Sequence, residues 1–289
     1  MDLLVTTVTL AAIYALVALG LSITWSGLGF LNLAQGVIFA GAAYGAWWTS
    51  QNISSAGPVM LAAGMGTGAI LGGLVWILVF LPLDGRRNAV TRLMIATLAL
   101  SLLGTNALLQ IFGPRSKDIP PVFGTGKVDL LGTAITADSA GTIVSAAVLI
   151  ALVLALMGRS RLGLGVRALT QNPEGAALVG IDRRTAALAI LVVSGALTGV
   201  ASVLLAGVFF VSPGAGYLPL IKGLIVALLG GLGSVPGTIV AALLVGAVEA
   251  LTQTYIGSEF VLVTLFTLIA VVLLVRPRGV AGILESTRA

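Results

Sequence analysis

The chain returns nine times to an apolar run long enough, or nearly long enough, to cross a lipid bilayer. The runs lie near 3–21, 30–48, 59–82, 90–112, 142–158, 186–211, 220–234, 238–256 and 259–275. A helical crossing takes about 20 such residues. Lipid offers no partner to a backbone N–H or C=O, so the segment that enters it must satisfy its own hydrogen bonds. Continuous rather than alternating apolarity makes these segments helices. Charged residues are 9% of the chain and apolar ones 58%, against about 25% charged in soluble domains. The expected fold is all-α: a polytopic transmembrane bundle of about eight to nine spans, organised as one domain over 1–289. The lipid bilayer is its first partner. The start, MDLLVTTVTLAAIYALVALGL, has no Lys or Arg before its long apolar run, and reads as an uncleaved first span rather than a signal peptide.

Several chemistries are excluded. Without Cys or His there are no thiols, no Cys/His zinc sites and no histidine proton relays, and no metal site is expected. The only Gly-Lys pair, Gly126-Lys127, is followed by Val128, so there is no P-loop for ATP. HExxH is missing, and no confident span carries the aspartates that an intramembrane protease needs. The chain is not expected to be an enzyme or to need a cofactor. The net charge of +5 is small and sits in loops, which makes it an orientation signal and no sign of nucleic acid.

Arginines cluster at Arg86, Arg87 and Arg92, through 159–184, and at Arg276, Arg278 and Arg288, whereas 113–141 is mixed in charge. Positive residues favour the cytoplasmic side, so 113–141 faces outward, and counting crossings backwards puts the N-terminus outside too. Two glycine breaks look alike. Gly27-Leu28-Gly29 precedes NLAQGVIFAGAAYGA, and Gly231-Leu232-Gly233 precedes SVPGTIVAALLVGAVEA. Paired interruptions of this kind point to an internal repeat and a pathway. Small-xxx-small pairs at Gly41/Gly45, Gly64/Gly68/Gly72 and Gly195/Gly199 read as internal helix packing.

Polar groups inside spans are costly and usually functional. Asn32, Gln35, Asn106, Lys222, Glu249 and Gln253 are therefore the candidates for a translocation pathway. Glu249 shares a helix face with Ala242, Gly246 and Gln253, and Lys222 begins the preceding short helix; the two either meet as a buried pair or snorkel to water. Asn32 and Gln35, beside a glycine break, either line a path or cap and bond helices.

The loop 159–184 holds five arginines, Arg159, Arg161, Arg167, Arg183 and Arg184, against Glu174 and Asp182. Asn172-Pro173-Glu174 is a helix start: a capping side chain, a proline whose missing N–H is harmless there, and an acid at the positive helix end. Gly180 can end the turn. A short cytoplasmic helix follows.

The string VRALTQNPEGAALVGID resembles the coupling loop of permease subunits in bacterial ABC importers, of the branched-chain amino-acid permease family. GLGFLNLAQG, GLIVALLGGLGSVPGTIVAALLVGAVEAL and RPRGVAG resemble that family's motifs in the same order. The length is similar to that of the shorter of the two permeases. The resemblance implies a pathway for branched-chain or related amino acids in the inner membrane. The implied partners are a second permease, paralogue or self, two cytoplasmic ABC ATPases and a periplasmic substrate-binding protein. It also assigns ATPase coupling to Arg167, Asn172, Pro173, Glu174, Ala177, Gly180 and Arg183. Gln35 stands where the family often has His, and Val37 where it often has an acid. A permease for urea or short amides, a stand-alone secondary transporter or channel, and a scaffold subunit are the alternatives.

Overall fold

The computed structural model describes residues 2–130, 133–207, 210–276 and 279; Arg278, Arg288 and most of RPRGVAG lie outside them. The chain is a helical bundle. In order, α1 is Asp2–Leu28 and α2 is Gln35–Asn52. Next, α3 (Gly57–Val75) runs through a π turn, Trp76–Phe80, into the single turn α4 (Leu81–Leu83). Helix α5 is Ala89–Phe112, and α6 is Ala137–Arg159. Two short helices, α7 (Arg161–Gln171) and α8 (Pro173–Leu178), lead into α9 (Arg183–Ala206). Then come α10 (Tyr217–Gly230), α11 (Val235–Tyr255) and α12 (Val261–Val275).

Seven helices among the described residues are long and apolar enough to cross a membrane. The two others have visible reasons for falling short. Helix α2 ends in Thr-Ser-Gln-Asn, and α10 has only 14 residues, about 21 Å of rise against a hydrocarbon core of about 30 Å. Irregular backbone at 210–216 leads into α10.

Boundaries differ from expectation where side chains compete for the backbone. The helix expected from 30 begins at Gln35, because Asn32 Oδ1 accepts from Ala34 N at 3.1 Å and holds a turn in its place. The helix expected from 142 begins at Ala137, where Thr136 caps it and Asp138 sits in its first turn. Before it, an antiparallel hairpin pairs β1 (Lys127–Leu130) with β2 (Thr133–Thr136), Lys127 opposite Thr136. The hairpin and α7 are additions to the sequence reading.

Lipid is as apolar as leucine, so membrane helices associate through close fit rather than water exclusion. Helices α3 and α9 show it. A Cβ on Gly68 would lie 2.2 Å from the Gly195 carbonyl oxygen, one on Gly195 2.2 Å from that of Gly68, and one on Gly199 2.1 Å from that of Gly64. The small stripe is an internal seam, as expected. Gly41 and Gly45 of α2 similarly face Leu71 and Thr67 of α3. Helix α1 is apolar all round and lies inside the bundle, with Ile13, Leu16, Leu19 and Leu21 buried. Helices α5, α6 and α12 turn most of their apolar surface outward, where lipid covers it.

The bundle has two distinct ends. At the arginine-rich end Arg183 meets Asp84 at 3.5 Å, Trp76 Nε1 donates to Arg184 O at 3.0 Å, and Thr170 Oγ1 donates to Ser26 O at 2.9 Å. At the other, Lys117 and Val211 exchange backbone bonds of 2.8 and 2.9 Å. Helix α1 starts at that second end and finishes among the arginines, so the N-terminus lies opposite them, as the crossing count requires.

A matched pair of variants tests the seam. Gly68→Ala drives a methyl into a backbone oxygen and is expected to lower the thermal unfolding midpoint in detergent, at a cost of about 1–3 kcal/mol. Gly66→Ala, two residues away with open space around it, is expected to leave the midpoint unchanged or raise it. Equal midpoints for the two would show that the seam does not hold the bundle.

Candidate functional site

The site begins with a glycine. In α11, a Cβ on Gly246 would lie 2.7 Å from Thr7 O of α1, so the two helices touch backbone to backbone. One turn further along α11, Glu249 reaches across to α1. Tyr14 OH donates to Glu249 Oε1 at 3.0 Å. Lys222 Nζ, from α10, donates to the same oxygen at 2.6 Å and to Tyr14 OH at 2.9 Å. Gln253 Nε2, one turn on, is the third donor to Oε1, at 3.0 Å. The Lys222 ammonium also lies 5.1 Å from the centre of the Tyr14 ring. Of the two readings open from sequence, buried pair or snorkelling, the structure has the pair: the Glu249 side chain is 2% exposed and that of Lys222 13%. The second carboxylate oxygen, Oε2, is buried without a hydrogen-bond partner among the described residues.

This cluster forms one wall of a cavity of about 540 Å³ at the end opposite the arginines. The irregular segment supplies Val211, Ser212 and Ala215, and Phe39, Leu205 and Val261 are among its apolar lining. Non-helical backbone at membrane depth is tolerated where it lines a cavity or is buried in protein, and 210–216 does the former. Its far end is pinned: a Cβ on Gly216 would lie 1.8 Å from Gly36 O.

Asn32 and Gln35 do something else. Both are 1% exposed. Gln35 Nε2 donates to Ser194 Oγ at 3.0 Å and to Thr198 Oγ1; Asn32 Nδ2 donates to Gln35 Oε1 at 3.3 Å. Ser194 Oγ donates to Gly20 O at 2.8 Å, and Leu33 N donates to Thr97 Oγ1 at 3.2 Å. This knot ties the irregular start of α2 to α1, α5 and α9, and neither residue is in the cavity lining. Asn106 is apart from both groups, exposed on α5 with its amide bonded to Leu102 O. Of the six polar candidates, the structure brings Lys222, Glu249 and Gln253 together.

The coupling residues gather at the arginine-rich end. Asn172 caps α8, accepting from Gly175 N at 2.9 Å, and Pro173 takes its first turn. Gly180 ends the segment with φ +82°. The side chains of Pro173 and Glu174 lie outside the described residues. Ala176 packs α8 onto Leu169 and Ala186, leaving Ala177 exposed. Arg167 is engaged locally, where its Nη2 donates to Met157 O and Gly158 O, both at 2.8 Å, closing the end of α6. Arg183 is the partner of Asp84. Asp182 caps α9; Thr185 Oγ1 donates to it at 2.6 Å, and this bond, with those from the backbone of Arg184 and Thr185, holds its carboxyl below the usual range.

Tyr14, Ser194, Thr198 and Leu178 were not singled out from sequence. Tyr14 carries a visible signal, a lone aromatic hydroxyl within α1. Leu178 shows one only once the fold is known: it is 89% exposed and Val179 75%, on a loop outside the spans.

A helical bundle with seven helices long and apolar enough to cross a membrane, and a charged pair beside a cavity near one end, is a multi-pass membrane protein with room for a solute. Residues 3–275 match the family model described as branched-chain amino acid transport system / permease component, and the chain belongs to that family. It is 29% identical to the high-affinity branched-chain amino acid transport system permease protein BraD of Pseudomonas aeruginosa, covering 96% of this chain and 94% of that one. It is 30% identical to the probable branched-chain amino acid transport permease protein LivH of Methanocaldococcus jannaschii, covering 93% and 88%. Among solved structures, PsaBC from Streptococcus pneumoniae in complex with Fab shares the fold, with a TM-score of 0.55 at 12% identity, over 96% of this chain and 93% of that one.

Removing one member of a buried ion pair strands the other, at about 3–5 kcal/mol. Lys222→Met alone is expected to destabilise the chain strongly, and the double variant Lys222→Met/Glu249→Gln less than the sum of the single changes. Additive shifts in the unfolding midpoint would show that the two groups do not interact in the membrane.

Proposed function

We propose that the chain is one of two membrane permeases of an ATP-driven importer in a cytoplasmic membrane. The whole of 1–289 acts as one permease domain, and it passes branched-chain or related amino acids. A substrate-binding protein delivers solute to the face that carries the cavity. Two ATPases bind the opposite face, and ATP hydrolysis is theirs. The family description and the names of the relatives support the substrate. The observation that carries the division of labour is α8: a capped surface helix beside two exposed apolar side chains, at the end remote from the cavity. Leu178 and Val179 stand exposed together, and a partner seated on α8 would cover both.

In this reading Asn172, Pro173, Glu174, Ala177 and Gly180 shape and present the docking helix, while Arg167 and Arg183 brace it against α6 and α4. The pathway runs past Lys222, Glu249 and Gln253. Asn32 and Gln35 act on it indirectly, by fixing the irregular start of α2, and Asn106 faces the second permease or lipid.

Purification of the tagged chain from its own cells in mild detergent tests this. Two P-loop ATPases and a second permease are expected to accompany it. Leu178→Asp is expected to lose the ATPases and keep the permease, with the thermal midpoint unchanged. A chain that purifies alone and passes leucine into liposomes without ATP would instead be a stand-alone carrier or channel.

A further inference from the structure

The polar cluster is unevenly bonded, and the imbalance says what it lacks. Three donors, Tyr14 OH, Lys222 Nζ and Gln253 Nε2, converge on Glu249 Oε1, while Oε2 has none among the described residues. A buried carboxylate oxygen left in this way is costly. On the other side, an ammonium has three N–H groups, and Lys222 directs two of them, at Tyr14 and Glu249. One acceptor, itself closed off from water in this arrangement, and one donor are thus left over, on neighbouring groups of opposite charge that border a cavity whose other lining is mostly apolar.

We propose that Glu249 and Lys222 together recognise the two charged ends of a zwitterionic α-amino acid. The ligand's ammonium goes to Glu249 Oε2, which a small turn of the carboxylate brings to the cavity, its carboxylate to the remaining N–H of Lys222, and its apolar side chain to the wall formed by Phe39, Leu205 and Val261. This deepens the permease reading and rests on the cavity being part of its path. The volume of about 540 Å³ lies within the range of small-molecule sites. A carboxylate alone meets the charges of Glu249 and of Glu259, also in the lining; an amine alone leaves the donor of Lys222 unused and meets its charge. A molecule with both a donor and an acceptor fills both leftovers, and of such molecules the zwitterion is the one whose charges also oppose those of Glu249 and Lys222. Gln253, bonded to the occupied oxygen, is a positioning residue that holds the carboxylate rotamer.

The chain contains no cysteine, so one introduced at Ser212, in the cavity lining, reports occupancy directly. Ser212→Cys is placed in the full chain in its native membrane, and its modification by a thiosulfonate reagent is timed with and without added solute. L-leucine is expected to slow modification at least about fivefold. At the same concentration, 4-methylpentanoate, which lacks the ammonium, and 3-methylbutylamine, which lacks the carboxylate, are expected to give little protection. Glu249→Gln is expected to abolish protection by leucine, and Glu249→Asp to keep part of it. A cysteine at the exposed hairpin residue Lys127 controls for reagent access, since its modification should be the same throughout, and the thermal unfolding midpoint shows whether each variant is folded.

Protection by either half-molecule equal to that by leucine, or undiminished protection in Glu249→Gln, would overturn the proposal. If Glu249→Gln fails to accumulate, the half-molecule comparison in the Glu249 background still decides. The permease reading is judged separately by ATP-dependent uptake. Uptake without leucine protection sinks the recognition site alone, and protection without ATP-dependent uptake sinks the importer alone.

Discussion

Backbone contact between helices is the constraint from which the rest of this bundle follows. Inside a bilayer there is no water to expel, so helices hold together to the extent that they fit. Gly64, Gly68 and Gly72 of α3 lie against Gly195, Gly199 and the Leu191 carbonyl of α9 at distances that no side chain tolerates. The same device recurs where function is placed. Gly246 brings α11 against α1, and that approach carries Glu249 into reach of Tyr14. Gly20 leaves room for the Gln35 amide, since a Cβ there would lie 2.6 Å from Gln35 Nε2. Packing and chemistry here draw on one resource, the residue with no side chain.

The polar groups that these approaches admit fall into two kinds. In the knot around Gln35, the bonds join α2 and the irregular residues before it to α5 and α9. Such a network fixes one arrangement of the chain and leaves nothing for a ligand. The cluster around Glu249 is bonded on one oxygen only and borders open space. Residues that look alike in sequence, all of them polar and all inside spans, separate by whether their bonding is complete. That distinction also reassigns Asn32 and Gln35 in the proposed pathway from lining it to holding its shape.

Much of this was legible beforehand. Each of the nine apolar runs marks a helix, because continuous apolarity over such lengths has no other stable form in lipid. The pairing of Lys222 with Glu249 was visible as an option, since opposite charges inside spans seek one another. The cap at Asn172 and the turn at Gly180 follow from local chemistry alone. Other features depend on tertiary context. Residues 30–34 read as helix because Phe30, Leu31 and Leu33 are apolar, and the competing Asn32 turn is stabilised by Thr97, 65 positions away from Asn32 in sequence. Helix α7 contains Gly163 and Gly165, poor helix formers; Ser160 caps it and Arg167 ties it to α6. The role of Tyr14 shows only once α10 and α11 are placed beside it.

Helix α1 has a contact at each end of the molecule. Helix α1 presents Tyr14 to the charged cluster and, twelve residues later, the Ser26 carbonyl to Thr170 of α7, a separation of about 18 Å along the axis. Between them Ser22 Oγ accepts from Gly233 N at 3.1 Å, at the turn that joins α10, which carries Lys222, to α11, which carries Glu249. Gly231 and Gly233, with φ of +88° and +89°, form that turn. The three helices that build the charged cluster are therefore fastened to one another again at the arginine-rich end, beside the loop that α8 belongs to. Contacts run from that loop to α1 directly and to α10 and α11 through one turn, while α5 and α12 are largely bare on their outer faces. Movement between the helices that hold Tyr14, Lys222 and Glu249 would break bonds converging on one oxygen, so a small relative shift alters how far the Lys222 and Glu249 charges offset each other.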